Sequence, residues 1–403
     1  MINGWKIIPL AEACSVFTDG DWIETKDQSP DGIRLIQTGN VGIGVFKNRE
    51  AKARHISNST FERLNCTEIY EGDCLLSRLP DPVGRSCILP ETGERMITAV
   101  DCTILRFRDD VLLARFFNYY SQCGEFLREV DQYCTGATRR RISRKNLGKV
   151  EVPLPPLGEQ KRIVAILDEA FAAIDAVTAN TEKNLANARE VFESYLNSVF
   201  ANEDETWEMK ALGSVCENLD STRVPITKSD RKPGSIPYYG ASGVVDHVEG
   251  FIFDEDLLLV SEDGANLLAR TYPIAFSING KMWVNNHAHV LRFKKMSSQR
   301  FVEYYINSIS IASYVSGMAQ PKLNQKSLNS IQVPFPLDEV QETVVNKCDM
   351  LQQESQELES LYTRKLALLA ELKQSILQKA FSGELTAGCL DAAAINELED
   401  AIA

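Results

Sequence analysis

The sequence predicts an α+β protein. Two tandem mixed α/β heads are each followed by a long helix, and the helices pair as an antiparallel coiled coil within a pseudo-two-fold internal repeat. Three observations predict this. The chain repeats itself, its apolar pattern switches from strand-like to helical at the same place in each half, and both helical runs lack internal glycine and proline.

The repeat sets the frame. Residues 136–200 align with 317–381 at a constant offset of 181 and without a gap. Identical residues fill 15 of the 65 positions, among them Gly136/Gly317, Lys145/Lys326, Pro153/Pro334, Gln160/Gln341, Asp168/Asp349 and Phe200/Phe381, where chance would give roughly four. Upstream the offset drifts: Trp5–Leu10 matches Trp207–Leu212 at 202, and Met96–Phe107 matches Met282–Phe293 at 186. Insertions therefore fall in the front of each half while the back is length-locked, as in a variable reading head on a fixed frame.

The elements follow in order. The first head is expected over 1–157, the first helix over 158–203, the second head over 204–337, the second helix over 338–383, and an acidic tail over 384–403. Ile33–Ile36 and Ile236–Tyr239 read as strands running into Gly-containing turns. Cys74–Ser77, Leu257–Ser261, Cys102–Phe107 and Ala288–Phe293 read as further strands. Phe116–Tyr120 and Phe301–Tyr305 open helical patterns. Val152-Pro153-Leu154-Pro155-Pro156 and Val333-Pro334-Phe335-Pro336 read as stiff exits, because proline fixes φ and disfavours helix before it. Apolar residues then recur in steps of three, four and seven. Ile163, Leu167, Ile174, Leu185 and Phe192 mark one face, and Val344, Leu351, Leu358, Leu372 and Ile376 the other. Helices of roughly 40 residues are roughly 60 Å long and need a partner. The repeat supplies one.

Composition narrows the class. A chain of 403 residues has room for two or three domains. Its net charge of −13 argues against a nonspecific nucleic-acid coat while leaving room for a local basic face. No apolar run is long enough to span a membrane and no secretory signal opens the chain. The ten cysteines show no Cys-x-x-Cys spacing and fit buried thiols in a reducing cytoplasm.

At this point the residues resemble the specificity subunits of Type I restriction–modification systems. Pro153-Leu154-Pro155-Pro156-Leu157-Gly158-Glu159-Gln160-Lys161-Arg162-Ile163-Val164 is similar to that family's entry into its first spacer helix. Leu372 through Leu385 is similar to the exit of the second. Glu71 through Arg78 and Ile236 through Gly243 resemble target-recognition segments. One departure is Pro336-Leu337-Asp338-Glu339-Val340-Gln341, which lacks the paired prolines and the Glu-Gln dipeptide of the first copy. The resemblance implies a noncatalytic phage-defence subunit whose two target-recognition domains each read half of a bipartite, asymmetric double-stranded DNA site. It implies that two modification subunits dock on the helices and methylate adenine N6 with S-adenosylmethionine, and that restriction subunits add ATP- and Mg-dependent translocation and cleavage. No cofactor or metal is expected in this chain itself.

A direct search for chemistry agrees. No Asn-Pro-Pro-aromatic or Asp-Pro-Pro-aromatic methylating loop occurs, and no phosphate loop. The alternative is a recognition module of a related nuclease–methyltransferase with its own metal-dependent cleavage, centred on Glu262 and Asp263. His287 and His289, expected on one face of a strand, read as packing or hydrogen-bonding groups.

DNA contacts are expected first from Arg139, Arg140, Arg141, Arg144 and Lys145, the most basic stretch, and from its repeat counterpart Gln320, Lys322, Asn324 and Lys326. Arginine and lysine neutralise phosphates, Arg can pair with guanine, and Asn or Gln with adenine. Further candidates sit in turns and at strand ends: Gln37, Thr38, Asn40, Ser77 and Arg78 in the first head, and Tyr238, Tyr239, Ser242, Ser261, Glu262 and Asp263 in the second, with Tyr238 and Tyr239 reading equally as core.

Overall fold

Each half of the chain closes its head by pairing its first strand with its last. Lys6–Pro9 runs antiparallel to Glu151–Leu154, and Met209–Ala211 runs antiparallel to Gln332–Pro334. The structure is a computed structural model and describes residues 5–136, 140–201, 207–317 and 320–385. The proline segments expected as plain exits thus begin as strands. A two-stranded ribbon leaves half of its backbone groups without a ladder partner, so the missing N–H of Pro153 or Pro334 is tolerated there.

Contacts divide the chain into two compact units, Met1–Asn180 with Lys365–Ala403, and Thr181–Arg364. The head of the first unit holds an antiparallel sheet in the order Cys14–Asp19, Cys102–Phe107, Cys74–Ser77, Ser86–Ile88. A second, mixed sheet joins Ile33–Ile36 to Met96–Thr98 in parallel. The head of the second unit repeats both features. Its antiparallel sheet runs Glu217–Asn218, Ala288–Arg292, Leu257–Ser261, Ala275–Ile278, and its mixed sheet joins Pro233–Gly240 to Lys281–Val284 in parallel. The strands expected from sequence lie here. Cys74–Ser77 and Leu257–Ser261 are buried throughout, as uninterrupted apolar runs require.

Two helices, Leu157–Ala201 and Asp338–Phe381, complete the units. The second starts at Asp338 despite its altered entry sequence. In the first unit Ile163, Leu167 and Ile174 are buried with Leu369, Leu377 and Phe381, and Leu372 and Ile376 pack at the edge. Lys373 Nζ lies 3.1 Å from Asp175 Oδ1. In the second unit Val344 and Cys348 are buried in one core with Leu196 and Phe200, with Phe192 packed against it. Arg189 Nε lies 3.2 Å from Glu359 Oε2. Stepping forward along one helix steps backward along the other, so the pairing is antiparallel. Leu185 and Leu351 are half-buried, and Leu358 is 39% exposed.

Polar residues that the repeat preserves fix each head to its helix. Gln160 is buried, accepts the Leu113 N–H at 2.9 Å and donates to the carbonyls of Val111 and Pro155, both at 2.9 Å. Its counterpart Gln341 is buried and donates to the Pro336 carbonyl at 2.7 Å. Asp168 receives Arg115 at 2.5 Å and the Tyr119 hydroxyl. Asp349 receives Arg300 at 2.6 Å and the Tyr304 hydroxyl. In both cases the Arg and Tyr stand four apart on one helix of the head and so share a face. Burial, then the bond to Asp168, pushes the Tyr119 hydroxyl up to about 12.

Gln160→Leu should destabilise the first unit by about 2–4 kcal/mol, because it leaves one buried and two part-buried backbone groups without that partner. Urea unfolding measures this. A cost near zero would mean that the glutamine does not hold the head to the helix.

Candidate nucleic-acid interface

The strand ends of each antiparallel sheet direct a set of loops to one end of the head. In the first head, Cys74–Ser77 ends opposite Cys102, and Cys14–Asp19 ends opposite Thr103. Arg78 follows and is buried. Its guanidinium donates to the carbonyls of Val100 at 2.5 Å and Ile142 at 3.3 Å, with Nε 3.2 Å from Asp19 Oδ1. Burial pushes this guanidinium's pKa down, and the charge of Asp19 opposes that.

The basic loop is a hairpin present in both heads at the repeat offset. Thr135 and Arg141 exchange both backbone hydrogen bonds at 2.9 Å, and Ser316 and Lys322 do so at 2.9 and 2.8 Å. Gly136 and Gly317 open the two loops with φ of 97° and 83°, where a side chain is strained. Each hairpin runs into a short helix whose first N–H groups are capped by a side chain, Ser143 accepting from Asn146 and Asn324 from Ser327. Behind each hairpin a buried apolar residue donates its N–H to the strand-end residue, Ile142 to Arg78 and Leu323 to Glu262. Arg141 pairs with Asp101 at 2.9 Å, Arg140 with Asp131 at 2.7 Å, and Arg144 donates to Thr18 Oγ1 at 3.1 Å. Lys145, Gln320 and Lys326 are exposed. Arg139 lies outside the described residues.

Gln37, Thr38 and Asn40 line a cleft of about 640 Å³ with Gly39, Arg49, Lys52, Ala53 and Arg54. The Asn40 amide is engaged internally, accepting from Gln37 N and donating to the Lys47 and Asn48 carbonyls. Buried Arg85 ties this loop to the next. It donates to the carbonyls of Val41, Thr38, Leu79 and Pro82 at 2.8, 2.9, 2.7 and 3.0 Å.

In the second head, Asp220, Glu262 and His289 bring ligand-type atoms within 4.8 Å of one another. The group is already neutralised from within. Arg223 Nη1 lies 2.7 Å and Lys322 Nζ 3.2 Å from the Glu262 carboxylate. Buried His289 faces Asp220 Oδ2 at 2.6 Å with Nδ1 and the Leu323 carbonyl at 2.7 Å with Nε2. Both ring nitrogens thus face acceptors. Two side-chain cations stand where a metal ion would compete, so this is an ion-pair network under the hairpin rather than an open coordination site. Burial would raise the Asp220 carboxyl, but His289, the Val290 N–H and Arg223 outweigh it and hold the carboxyl below its usual range.

Several expected contacts are corrected to supports. Ser77 is buried and donates to the Leu79 carbonyl, and Ser261 is buried and donates to the Ala241 carbonyl. Arg78 is occupied as described. Tyr238 is 1% exposed, with its hydroxyl bonded to the Ile226 backbone and its ring under Arg231. Strand alternation places Tyr238 in the core, and its neighbour Tyr239 is half-buried against Phe276. Ser242 stays exposed and donates to the hydroxyl of Tyr272 at 3.1 Å. Asp263 bonds His287 Nδ1 at 2.8 Å. His287 precedes the strand rather than sharing a face of it with His289. Sequence reasoning missed Arg49, Lys52 and Arg54, although four basic residues fall between positions 47 and 54. It also missed Tyr272, Arg85 and Asp220, which carry no local signal.

Charge is unevenly spread. Residues 1–156 hold 21 Lys and Arg against 21 Asp and Glu, and residues 207–337 hold 13 against 12. The net charge of −13 therefore resides in the helices, the segment joining them to the heads and the tail. The nine described cysteines are free, and burial pushes thiols such as Cys87 and Cys216 up to about 12, away from nucleophilic use. No described helix is long and apolar enough to cross a membrane.

Comparison with known proteins agrees with this geometry. Residues 2–187 and 204–374 match the family described as Type I restriction modification DNA specificity domain. Over 144 residues the chain is 35% identical to a candidate type I restriction enzyme specificity subunit of Haemophilus influenzae, covering 36% of this chain and 37% of that protein. Over 330 residues it is 26% identical to the type I restriction enzyme EcoBI specificity subunit of Escherichia coli, covering 70% of this chain and 68% of that protein. A chain solved in work on complex assembly and conformational transition of the type I restriction–modification system shares the fold, with a TM-score of 0.74 at 17% identity over 95% of this chain and 99% of that one. The chain belongs to the Type I restriction–modification specificity-subunit family.

Asp220→Asn should destabilise the second head near neutral pH. A carboxyl held below its unfolded value stabilises above that value, near 3.9, and loses the effect as pH falls through its folded value. The gap between wild type and variant should therefore close under acid. A gap that stays constant from neutral to acidic pH would remove the ionised carboxylate as its cause.

Proposed function

We propose that this specificity-family chain is the noncatalytic DNA-reading subunit of a Type I restriction–modification enzyme, each head binding one half of a bipartite, asymmetric site. The observation that carries the reading is the hairpin built twice at one repeat offset, with the same backbone and different side chains, Arg140, Arg141, Arg144 and Lys145 against Gln320, Lys322, Asn324 and Lys326. One frame with two chemistries suits two different half-sites. The groups beside the hairpins, half-buried Gln37 and Thr38 in one head and half-buried Asp263 with exposed Ser242 and His287 in the other, are the candidates for base edges. Buried Ser77, Arg78, Tyr238 and Ser261 hold the loops that present them.

The helices would dock two methyltransferase subunits, and restriction subunits through them. Support comes from apolar side chains left exposed along them, Val191, Met350, Leu358, Leu361 and Leu368, more than a finished surface requires. S-adenosylmethionine would belong to the methyltransferase subunits, and ATP and Mg to the restriction subunits. A chain cutting DNA with its own metal would need free carboxylates, and Glu262 is instead paired to Arg223 and Lys322.

Co-expression with the methyltransferase subunit of the same operon, followed by mapping of methylated adenines, tests the reading. A split motif with one modified adenine in each half is expected. A stable complex that adds no methylation would sink it. Arg140→Ala with Arg141→Ala and Arg144→Ala should weaken duplex binding and lower its salt dependence, by about one unit of slope per lost phosphate contact. An unchanged slope would take this hairpin off the DNA.

A further inference from the structure

We propose that the cleft of the first head, through Arg49, Lys52 and Arg54, is a binding site for the phosphodiester backbone of duplex DNA. The inference rests on the DNA-reading function above and adds to it a site.

Charge pairing carries the argument. The segment Lys47–Arg54 holds four cations and one acid, Glu50. Arg49, Lys52 and Arg54 are exposed, and none pairs with a carboxylate among the described residues. Elsewhere in this head the cations are mostly spent, as with Arg34 on Glu94, Arg106 on Asp73 and Arg115 on Asp168. Unpaired cations gathered on one cleft answer an anion that the chain itself does not supply. The cleft is also built rather than incidental. Arg85 anchors the Thr38 carbonyl from within the head, and the Arg49 guanidinium lies over Gly39, where a Cβ would stand 1.9 Å from Nη1.

Position gives the identity of the anion. The loop leaving Ile36 is joined to the basic hairpin by a continuous run of bonds. Ala99 N–H donates to the Ile36 carbonyl, Arg78 donates to the Val100 carbonyl, and Arg141 pairs with Asp101. Trp22, 70% exposed, leaves the same strand ends, where Asp21 N–H donates to the Thr98 carbonyl. The cleft and the hairpin therefore belong to one face, and a duplex laid on the hairpin would bring its backbone past the cleft. At the second hairpin the cations are mostly paired. Arg223 and Lys322 are paired with Glu262, and Asp263 with His287. Lys326 beside that hairpin is exposed and without an ion pair among the described residues, as are Lys228, Lys232, Lys281 and Lys294 elsewhere in the second head.

The test uses the full chain in complex with its methyltransferase subunits and a duplex carrying the mapped site. Affinity is measured over a range of salt concentrations for wild type, for Arg49→Gln with Lys52→Gln and Arg54→Gln, and for Arg49→Lys with Arg54→Lys. The glutamine variant should reduce the slope of log K against log salt by about 2–3 and weaken binding at physiological salt about 10- to 100-fold. The lysine variant should keep the wild-type slope, and the methylated motif should be unchanged in both. An unchanged slope in the glutamine variant, with wild type still site-specific, overturns the cleft proposal alone. An altered motif at an unchanged slope would make these residues base readers and also overturns it. Loss of the methyltransferase subunits instead of DNA affinity would reassign the cleft to an acidic protein. Absence of site-specific methylation in wild type would overturn the DNA-reading function on which the proposal rests.

Discussion

A buried glutamine at the foot of each long helix is the constraint on which the rest of each unit depends. Gln160 is fully enclosed and satisfies three backbone groups where the last strand of the head turns into the helix. An unsatisfied buried amide or carbonyl costs about 1–3 kcal/mol, so the side chain tolerates little rotation of head against helix. Eight residues on, two turns further along the same helix, Asp168 takes the Arg115 and Tyr119 pair. Two fixed points along a rigid rod set an orientation where one would set only a position. The second unit places Gln341 and Asp349 at the same two points, with Gln341 bonding one backbone group, the Pro336 carbonyl. A protein that must hold a reading surface at a defined angle needs such a joint, and it explains why the repeat is gapless from the hairpin onward while the front of each head drifts.

The same logic accounts for the charge. A net −13 is poor equipment for a protein bound to a polyanion if it is spread evenly. It is not: the heads are nearly neutral, and the acidic excess lies in the helices, joining segment and tail. Against a neutral head, a few unpaired cations dominate the local field, while acidic helices discourage DNA from lying along them. Most ion pairs on the heads have at least one partner exposed to solvent, which limits what they contribute to stability. Their consequence is to decide which cations are left over.

Much of this was legible in the sequence. The repeat, the helical period and the buried strand runs gave the element order, because each depends on local spacing. What stayed hidden depends on distant partners. Tyr238 reads from sequence equally as a DNA contact or as core, and strand alternation decides for the core, where its hydroxyl finds the Ile226 backbone. Arg78 looks like a phosphate ligand at a strand end, yet Val100 and Ile142, remote in sequence, consume its donors. Asp220 has no motif around it, and only the fold brings it to His289. Arg49, Lys52 and Arg54 were within reach, since a run of cations is visible, but the surplus that gives them meaning appears only once every other pair is known.

The two strand-end residues show how one frame carries two specificities. Arg78 and Glu262 occupy the same backbone position, each accepting the N–H of the buried residue behind its hairpin. Their charges are opposite, and the surroundings invert to match. Arg78 is met by Asp19, and Glu262 by Arg223 and Lys322. Backbone hydrogen bonds do not depend on the side chain that carries them, so the hairpin survives the exchange. The loop cation then lands on different partners, Arg141 on Asp101 and Lys322 on Glu262. The buried layer thereby fixes which loop charges are held down and which remain free. Changing the recognised sequence by substituting exposed residues alone should therefore succeed only where the strand-end ion pairs already suit the new surface, and exchange of a whole head above Gln160 or Gln341 carries both layers together.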